Sequence, residues 1–134
     1  KRVGNIPLMN NELGVRIKEG TEKEKREKAA EELVKKLTLS VFYNLKSAII
    51  FPFSNPEHNI IGLGDERRKP IEEMIYAFKT SLKFLNHPVI SCKNLSTGSI
   101  QNYFFVFKNI NVSVMWSKKK EIVKISEECI AYDY

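Results

Sequence analysis

Apolar residues recur in this chain at two different spacings, and the order in which they alternate confines the fold to the mixed α and β classes. The first spacing is helical. Thr21 and Glu24 stand three apart as a capping box, in which each side chain can satisfy the other's orphan backbone amide. Ala30, Leu33, Val34 and Leu37 then share one helical face, while Glu22, Lys23, Lys25, Arg26, Glu27 and Lys28 crowd the others. That mixture of signs predicts a solvated face with i,i+4 ion pairs. From Leu37 the period drops to two: Leu37, Leu39, Val41 and Tyr43 alternate with Thr38, Ser40 and Phe42, as on a strand. Leu45-Lys46 turns into a second strand, Ser47 to Phe53, and the turn cluster Ser54-Asn55-Pro56-Glu57 leads to a third, Asn59 to Leu63. Together they predict a three-stranded antiparallel meander.

A charged loop from Gly62 to Lys69 enters the next helix, with Pro70 suited to the first helical position because its missing amide costs nothing there. Ile71, Met74, Ile75, Phe78, Leu82 and Leu85 form one apolar stripe that should pack on the sheet, and Asn86-His87-Pro88 ends it. Ser91 to Ser99 reads as a loop. Ile100 to Phe107 is an apolar strand, Asn109 and Asn111 break it, Val112, Val114 and Trp116 alternate, Lys118-Lys119-Lys120 turns, and Glu121 to Ile130 gives a last strand. The expected fold is α/β (α+β): a single mixed sheet opened by the meander, with one long packed helix. Lys1 to Gly20 sustains no period, so residues 1–36 read as an N-terminal extension with one amphipathic helix, ordered by a partner surface, and 37–134 as the α/β domain.

Apolar residues make up 43% of the 134, enough for one core and too many for a disordered tail. No apolar run approaches the roughly 20 residues that cross a bilayer. Membrane insertion is therefore not expected, and the chain should be soluble or held in a soluble assembly. A net charge of +6 attracts polyanions, of which phosphate backbones are the commonest large ones. Cys92 and Cys129 are too few for a disulfide framework and have no neighbours at metal-ligand spacing, which fits packing or strand-edge thiols in a compartment that is reducing or at least did not select for bridges. The chain starts at Lys1 without a methionine, which fits a mature form from which a targeting peptide could have been cut. Its Asn, Lys and Ile runs fit the AT-rich coding of an organelle or a parasite.

Catalytic signals fail. His58 and His87 lie in turn-like segments near prolines, with no nucleophile motif around them. Glu72 and Glu73 diverge by about 100° on a helix and read as first-turn acids rather than a metal pair. Gly62-Leu63-Gly64 lacks the third glycine of a dinucleotide fingerprint and the Gly-Lys-Ser/Thr end of a phosphate loop. No enzyme activity, metal, cofactor or small-molecule substrate is expected. The cations carry more. Arg67-Arg68-Lys69 enters a helix whose N-terminal amides also favour anions, and arginine can clamp phosphate through two parallel bonds. Lys118, Lys119 and Lys120 fall at a hairpin tip, and Lys46, Lys93 and Lys108 near sheet ends where loops could touch RNA. Tyr103, Phe104, Phe105 and Phe107 alternate and lack the glycine-punctuated signature of the common RNA-binding sheet, so they read as core; Trp116 reads as a core or interface anchor.

The order of elements resembles the eleventh small-subunit ribosomal protein family, in a divergent mitochondrial (organellar) form. The carriers are Val41-Phe42-Tyr43-Asn44 opening the meander, the glycine-bearing basic run Gly62 to Pro70 before the long helix, and Ile122 to Ile130 before the closing segment. Gly62, Gly64, Arg67 and Pro70 are also similar to the strand–loop–helix of the fifth small-subunit family, which continues into a second domain. The resemblance implies a ribonuclease-H-like ribosomal protein topology and a structural constituent of an organellar small ribosomal subunit, in the mitochondrial matrix. It would hold rRNA phosphates through Lys46, Arg67, Arg68, Lys69, Lys93, Lys108 and Lys118 to Lys120. Lys108-Asn109-Ile110-Asn111 stands where the family has a glycine-rich loop, and Ala131-Tyr132-Asp133-Tyr134 where it has a basic tail. Those contacts are expected to be traded for contacts with neighbouring small-subunit proteins through the N-terminal extension. The alternative is a non-catalytic supernumerary subunit of another organellar complex, without RNA. A ribonuclease-H-like catalytic domain ranks last, since the meander carries no carboxylate before Glu57.

Overall fold

Thr21 opens the first helix as its spacing requires: its hydroxyl accepts from the Glu24 amide at 3.3 Å, and its own amide donates to Glu24 Oε2 at 2.8 Å. The structure is a computed structural model that describes residues 8–120 and 122–124. The helix, α1 (Glu22–Phe42), runs on through the segment expected as the first strand. Extending a formed helix adds one hydrogen bond for each residue fixed, whereas a strand needs a neighbour to pair with. The alternation over residues 37–43 did not distinguish the two, because burial there falls on polar residues, Thr38 and Ser40. Ser40 Oγ donates to the Lys36 carbonyl at 2.8 Å, which satisfies it inside the helix. The Thr38 hydroxyl is buried without a hydrogen-bond partner among the described residues. The helix stops at Asn44, whose φ of 53° is a left-handed conformation that Asn tolerates. Val41-Phe42-Tyr43-Asn44, the first carrier of the ribosomal resemblance, is thus a helix end. The expected i,i+4 ion pairs are present, Lys23 with Glu27 at 3.7 Å and Lys35 with Glu31 at 3.8 Å, and Lys25 pairs with Glu22 one position closer at 3.3 Å.

The meander does not form. Two strands come instead from the segment expected as an extension, β1 (Met9–Leu13) and β2 (Val15–Arg16). They pair with β3 (Ser47–Ile50) and β4 (Ile60–Ile61), which do not pair with each other. β1 lies parallel to β3, with Met9 opposite Ser47 and Leu13 opposite Ile50; β2 lies antiparallel to β4, with Val15 opposite Ile61. Leu13 and Val15, each 2% exposed, join Ala29, Ala30 and Leu33 of α1 in the core with Ile71, Met74 and Ala77 around the start of α2 (Glu72–Leu85). Lys36 Nζ also donates to the Gly14 carbonyl. The boundary expected at residue 36 therefore falls inside α1, and the described residues before it share one compact unit, Lys1–Asn86, with those after it.

Pro70 is not the first helical residue of α2. It bridges Gly64, and Ile71 holds an extended N-cap conformation before the helix begins at Glu72, with Glu72 and Glu73 in its first turn as expected. The buried face is rotated from the expected stripe: Met74, Ala77, Ser81 and Leu85 are buried, Ile75 and Phe78 half-buried, Leu82 exposed. Small residues on that face allow close packing of α1 against α2. The Ser81 hydroxyl, like that of Thr38, has no partner among the described residues.

The second unit, His87–Tyr134, contains one antiparallel sheet in the order β5 (Ser91–Asn94), β6 (Ile100–Val106), β7 (Asn111–Ser117). β5 occupies residues expected as loop; polar Ser91-Cys92-Lys93-Asn94 shows no apolar alternation and is a strand through its pairing with Tyr103–Val106. Tyr103, Phe105 and Phe107 are buried, as the alternation implied, and Trp116 stacks on Tyr103 with centroids 5.2 Å apart. Among the described residues, three separate small sheets and two helices thus make a mixed α+β architecture in place of the expected single sheet. Residues 122–124 have no regular structure, and the rest of the expected last strand, with Cys129, lies outside the described residues.

Candidate nucleic-acid interface

The loop between β4 and α2 is built on two glycines and one carboxylate. A Cβ on Gly62 would lie 2.5 Å from the Phe53 carbonyl carbon, and one on Gly64 would lie 3.1 Å from the Phe53 ring, so this approach is closed to larger residues. Ser54 Oγ ties the two together, accepting from the Gly62 amide at 3.2 Å and donating to the Gly64 carbonyl at 2.9 Å. Asp65 turns its carboxylate into the loop, where Oδ1 accepts from the amides of Arg67 at 2.9 Å and Lys69 at 2.8 Å. Its amide donates to the Lys69 carbonyl at 2.8 Å, and its carbonyl accepts from the Arg68 amide at 3.0 Å. Arg68 is thereby held at a φ of 64°, uncommon for a side chain of its size.

This turn presents its cations outward. Arg67, Arg68 and Lys69 are exposed, and none has a carboxylate within ion-pair distance among the described residues. Arg67 and Lys69 line an open cleft of about 440 Å³, whose other wall is the first turns of α1, with Lys25 and Arg26. Ile61 and Ile71 add apolar surface to its lining, and Ser54 and Asn59 polar groups. Glu22, Asp65 and Glu66 also line it. Glu22 pairs with Lys25 on the same wall, and the Asp65 carboxylate bonds to backbone amides of its own loop. Four cations, Lys25, Arg26, Arg67 and Lys69, thus line the cleft against three acids, a small cationic excess that favours an anion. The α1 wall is fixed by its cap: the Glu24 carboxyl is held below the usual range by the Thr21 amide first, then by the Thr21 hydroxyl and Lys28. Arg68 lies beside the cleft with its guanidinium 5.8 Å from the centroid of the Phe53 ring.

The chain matches no protein-family model, no curated protein and no solved structure. The site therefore rests on its own geometry. Of the expected RNA-contacting residues, the structure brings together Arg67, Arg68 and Lys69. Lys46 is exposed at the start of β3, where its amide donates to the Leu8 carbonyl, and is not on the cleft. Lys93 lies on β5, Lys108 in the β6–β7 turn, and Lys118, Lys119 and Lys120 after β7, all exposed and all in the second unit. Sequence reasoning missed Lys25 and Arg26, read only as solvated helix charge, and Phe53, read as a strand residue. No spacing links them to Arg67; the pairing of β2 with β4 joins the segment before α1 to the segment before the loop, and a bridge between Phe53 and Gly64 joins Phe53 to the loop.

Other chemistry finds no such grouping. His58 sits in a short 3-10 turn, Pro56–His58, and the His87 ring meets Phe107 edge-on at 5.7 Å. Among the described residues no three His, Cys, Asp or Glu are placed to hold a metal ion, and no helix is long and apolar enough to cross a membrane.

Proposed function

We propose that this chain is a non-catalytic RNA-binding protein that holds backbone phosphates at the cleft between the Gly62–Pro70 loop and the start of α1. The observation that carries the reading is the position of Asp65. Its carboxylate accepts from two backbone amides and pairs with no cationic side chain among the described residues, so it orders a turn in which Arg67, Arg68 and Lys69 outnumber Asp65 and Glu66. A phosphate entering there meets Arg67 and Lys69 with Arg26 across the cleft, and charge-assisted bonds of this kind are about twice as strong as neutral ones. The wider setting we propose is the one the sequence suggests, an rRNA contact within an organellar small ribosomal subunit. Of the features behind that setting, the net charge of +6 and the exposed run Arg67-Arg68-Lys69 support it, while the helix the run was expected to enter begins only at Glu72. The meander and a ribonuclease-H-like sheet do not support it, since β1–β4 form two separate pairs.

Binding of RNA measured across a series of salt concentrations tests the proposal. Affinity should fall steeply with salt, and the Arg67→Ala/Lys69→Ala double variant should flatten that dependence. An affinity indifferent to salt, or equal in the double variant, overturns it.

One observation favours the second reading, a subunit of a protein complex without RNA contact. Leu8, Met9, Tyr43 and Ile49 are all more than half exposed around the β1–β3 pair, and both strands of that pair keep an unpaired edge among the described residues. Sedimentation of the native assembly before and after ribonuclease treatment separates the readings: migration with an RNA-dependent particle supports the first, unchanged migration supports the second.

A further inference from the structure

We infer that Phe53 is a stacking platform for an unpaired base, so that the RNA taken by this loop is single-stranded. The inference rests on the proposed function and gives it a substrate class. Phe53 is 44% exposed although it belongs to an apolar run. Its backbone is clamped under Gly62, its ring abuts Gly64, and the following residue, Ser54, bonds both glycines. The exposed ring is thus held in place before any ligand arrives, so little freedom is lost when a base stacks on it. The Arg68 guanidinium lies over the ring, 5.8 Å from its centroid, so a base stacking there extends or replaces that cation–π contact, and both arginine and phenylalanine stack on bases.

The two features lie next to the phosphate site on both segments that build it. Phe53 precedes Ser54 and Arg68 follows Arg67, and Ser54 and Arg67 line the cleft. A strand whose phosphate sits in the cleft therefore has an aromatic face and a guanidinium within one residue of its anchor. Only an unpaired base can use them, since duplex bases offer their faces to each other. Aromatic stacking joined to a cationic groove is how sequence-tolerant single-strand binding is built.

The test uses the whole chain and a mixed-sequence RNA oligonucleotide within the roughly 4–16-nucleotide range of such sites, alone and annealed to its complement. Wild type should prefer the single strand. Phe53→Leu keeps apolar bulk against Gly62 and Gly64 but removes the π face, and should weaken single-strand binding by roughly tenfold with the salt dependence unchanged. Phe53→Trp should restore it, and duplex affinity should be the same for all three proteins. Equal binding of single strand and duplex, or Phe53→Leu indistinguishable from wild type, overturns the platform while leaving phosphate binding standing. Absence of binding to either RNA, or displacement of RNA by an equal charge of polyglutamate, overturns the proposed function and the platform with it.

Discussion

The turn from Gly62 to Pro70 and the segment Lys118–Lys120 each carry three consecutive cations, on frameworks of very different strength. In the first, the Asp65 carboxylate, the Ser54 hydroxyl and two close-packed glycines fix the backbone from which Arg67, Arg68 and Lys69 emerge. In the second, the Lys119 amide donates to Ser117 Oγ at 3.2 Å, and the residues that follow, 122–124, have no regular structure. Charge alone attracts a polyanion equally in both places. A fixed backbone also selects where the polyanion sits, because the entropy of ordering the main chain that carries the charges has been met in advance. Sequence composition sees only the attraction.

The sharpest way to break this contrast is at the glycines. Gly62→Ala puts a methyl group 2.5 Å from backbone and should cost about 1–3 kcal/mol of stability in denaturant titration, with loss of RNA binding. In the second unit, Gly98→Ala meets nothing within 4 Å and has only its φ of 59° to strain it, about 1 kcal/mol, with RNA binding intact. Equal costs would show that the two frameworks are alike.

Next in size is Asp65→Ala. Removing an acid from a cationic site should tighten anion binding if only net charge mattered. Because that acid orders the turn, affinity should instead fall on the order of tenfold, with Asp65→Asn retaining most of it. Tighter binding by Asp65→Ala would remove the basis of the contrast. A smaller, more diagnostic effect is expected in the salt slope. Arg67→Ala/Lys69→Ala should reduce the log–log slope by roughly 1.4, about 0.7 for each phosphate no longer neutralised, and Lys118→Ala/Lys119→Ala/Lys120→Ala should reduce it by less despite removing one more charge.

The smallest effect concerns the opposite wall of the cleft. The Glu24 carboxyl is depressed by its bonds to Thr21, so its contribution to folding is full above the unfolded carboxyl value and is lost as pH falls through the lower folded one. Thermal melts of wild type should therefore lose stability on acidification in that window relative to Glu24→Gln, whose side chain does not titrate. Parallel profiles would show that the cap does not anchor Lys25 and Arg26 in the way described.

What the sequence revealed follows from what its local pattern can encode. The start of α1, the strands β6 and β7 and the basic turn are specified within a few residues by a capping box, by alternation and by a charge run. The end of α1 is not, because Leu37, Leu39, Val41 and Tyr43 read as a strand while tertiary burial selects Thr38 and Ser40. β5 has no apolar signature at all and exists through the pairing of Cys92 with Phe105. β1 and β2 depend on partners far along the chain, Leu13 on Ile50 and Val15 on Ile61, and the walls of the cleft are brought together by that same long-range pairing. Half of the site was visible as charge, and the other half needed the fold.

The parallel pairing of β1 with β3 has a consequence for how the molecule is made. An amino-terminal strand that finds its mate only after all of α1 has been synthesised must wait through the emergence of some three dozen residues, at about 5–20 per second, for several seconds. Over that interval Leu13 and Val15, almost wholly sheltered in the finished molecule, stand in water beside a helix already able to coil. Nascent chains arrested before and after residue 50 has emerged from the ribosome should accordingly differ abruptly in their resistance to protease around residue 13.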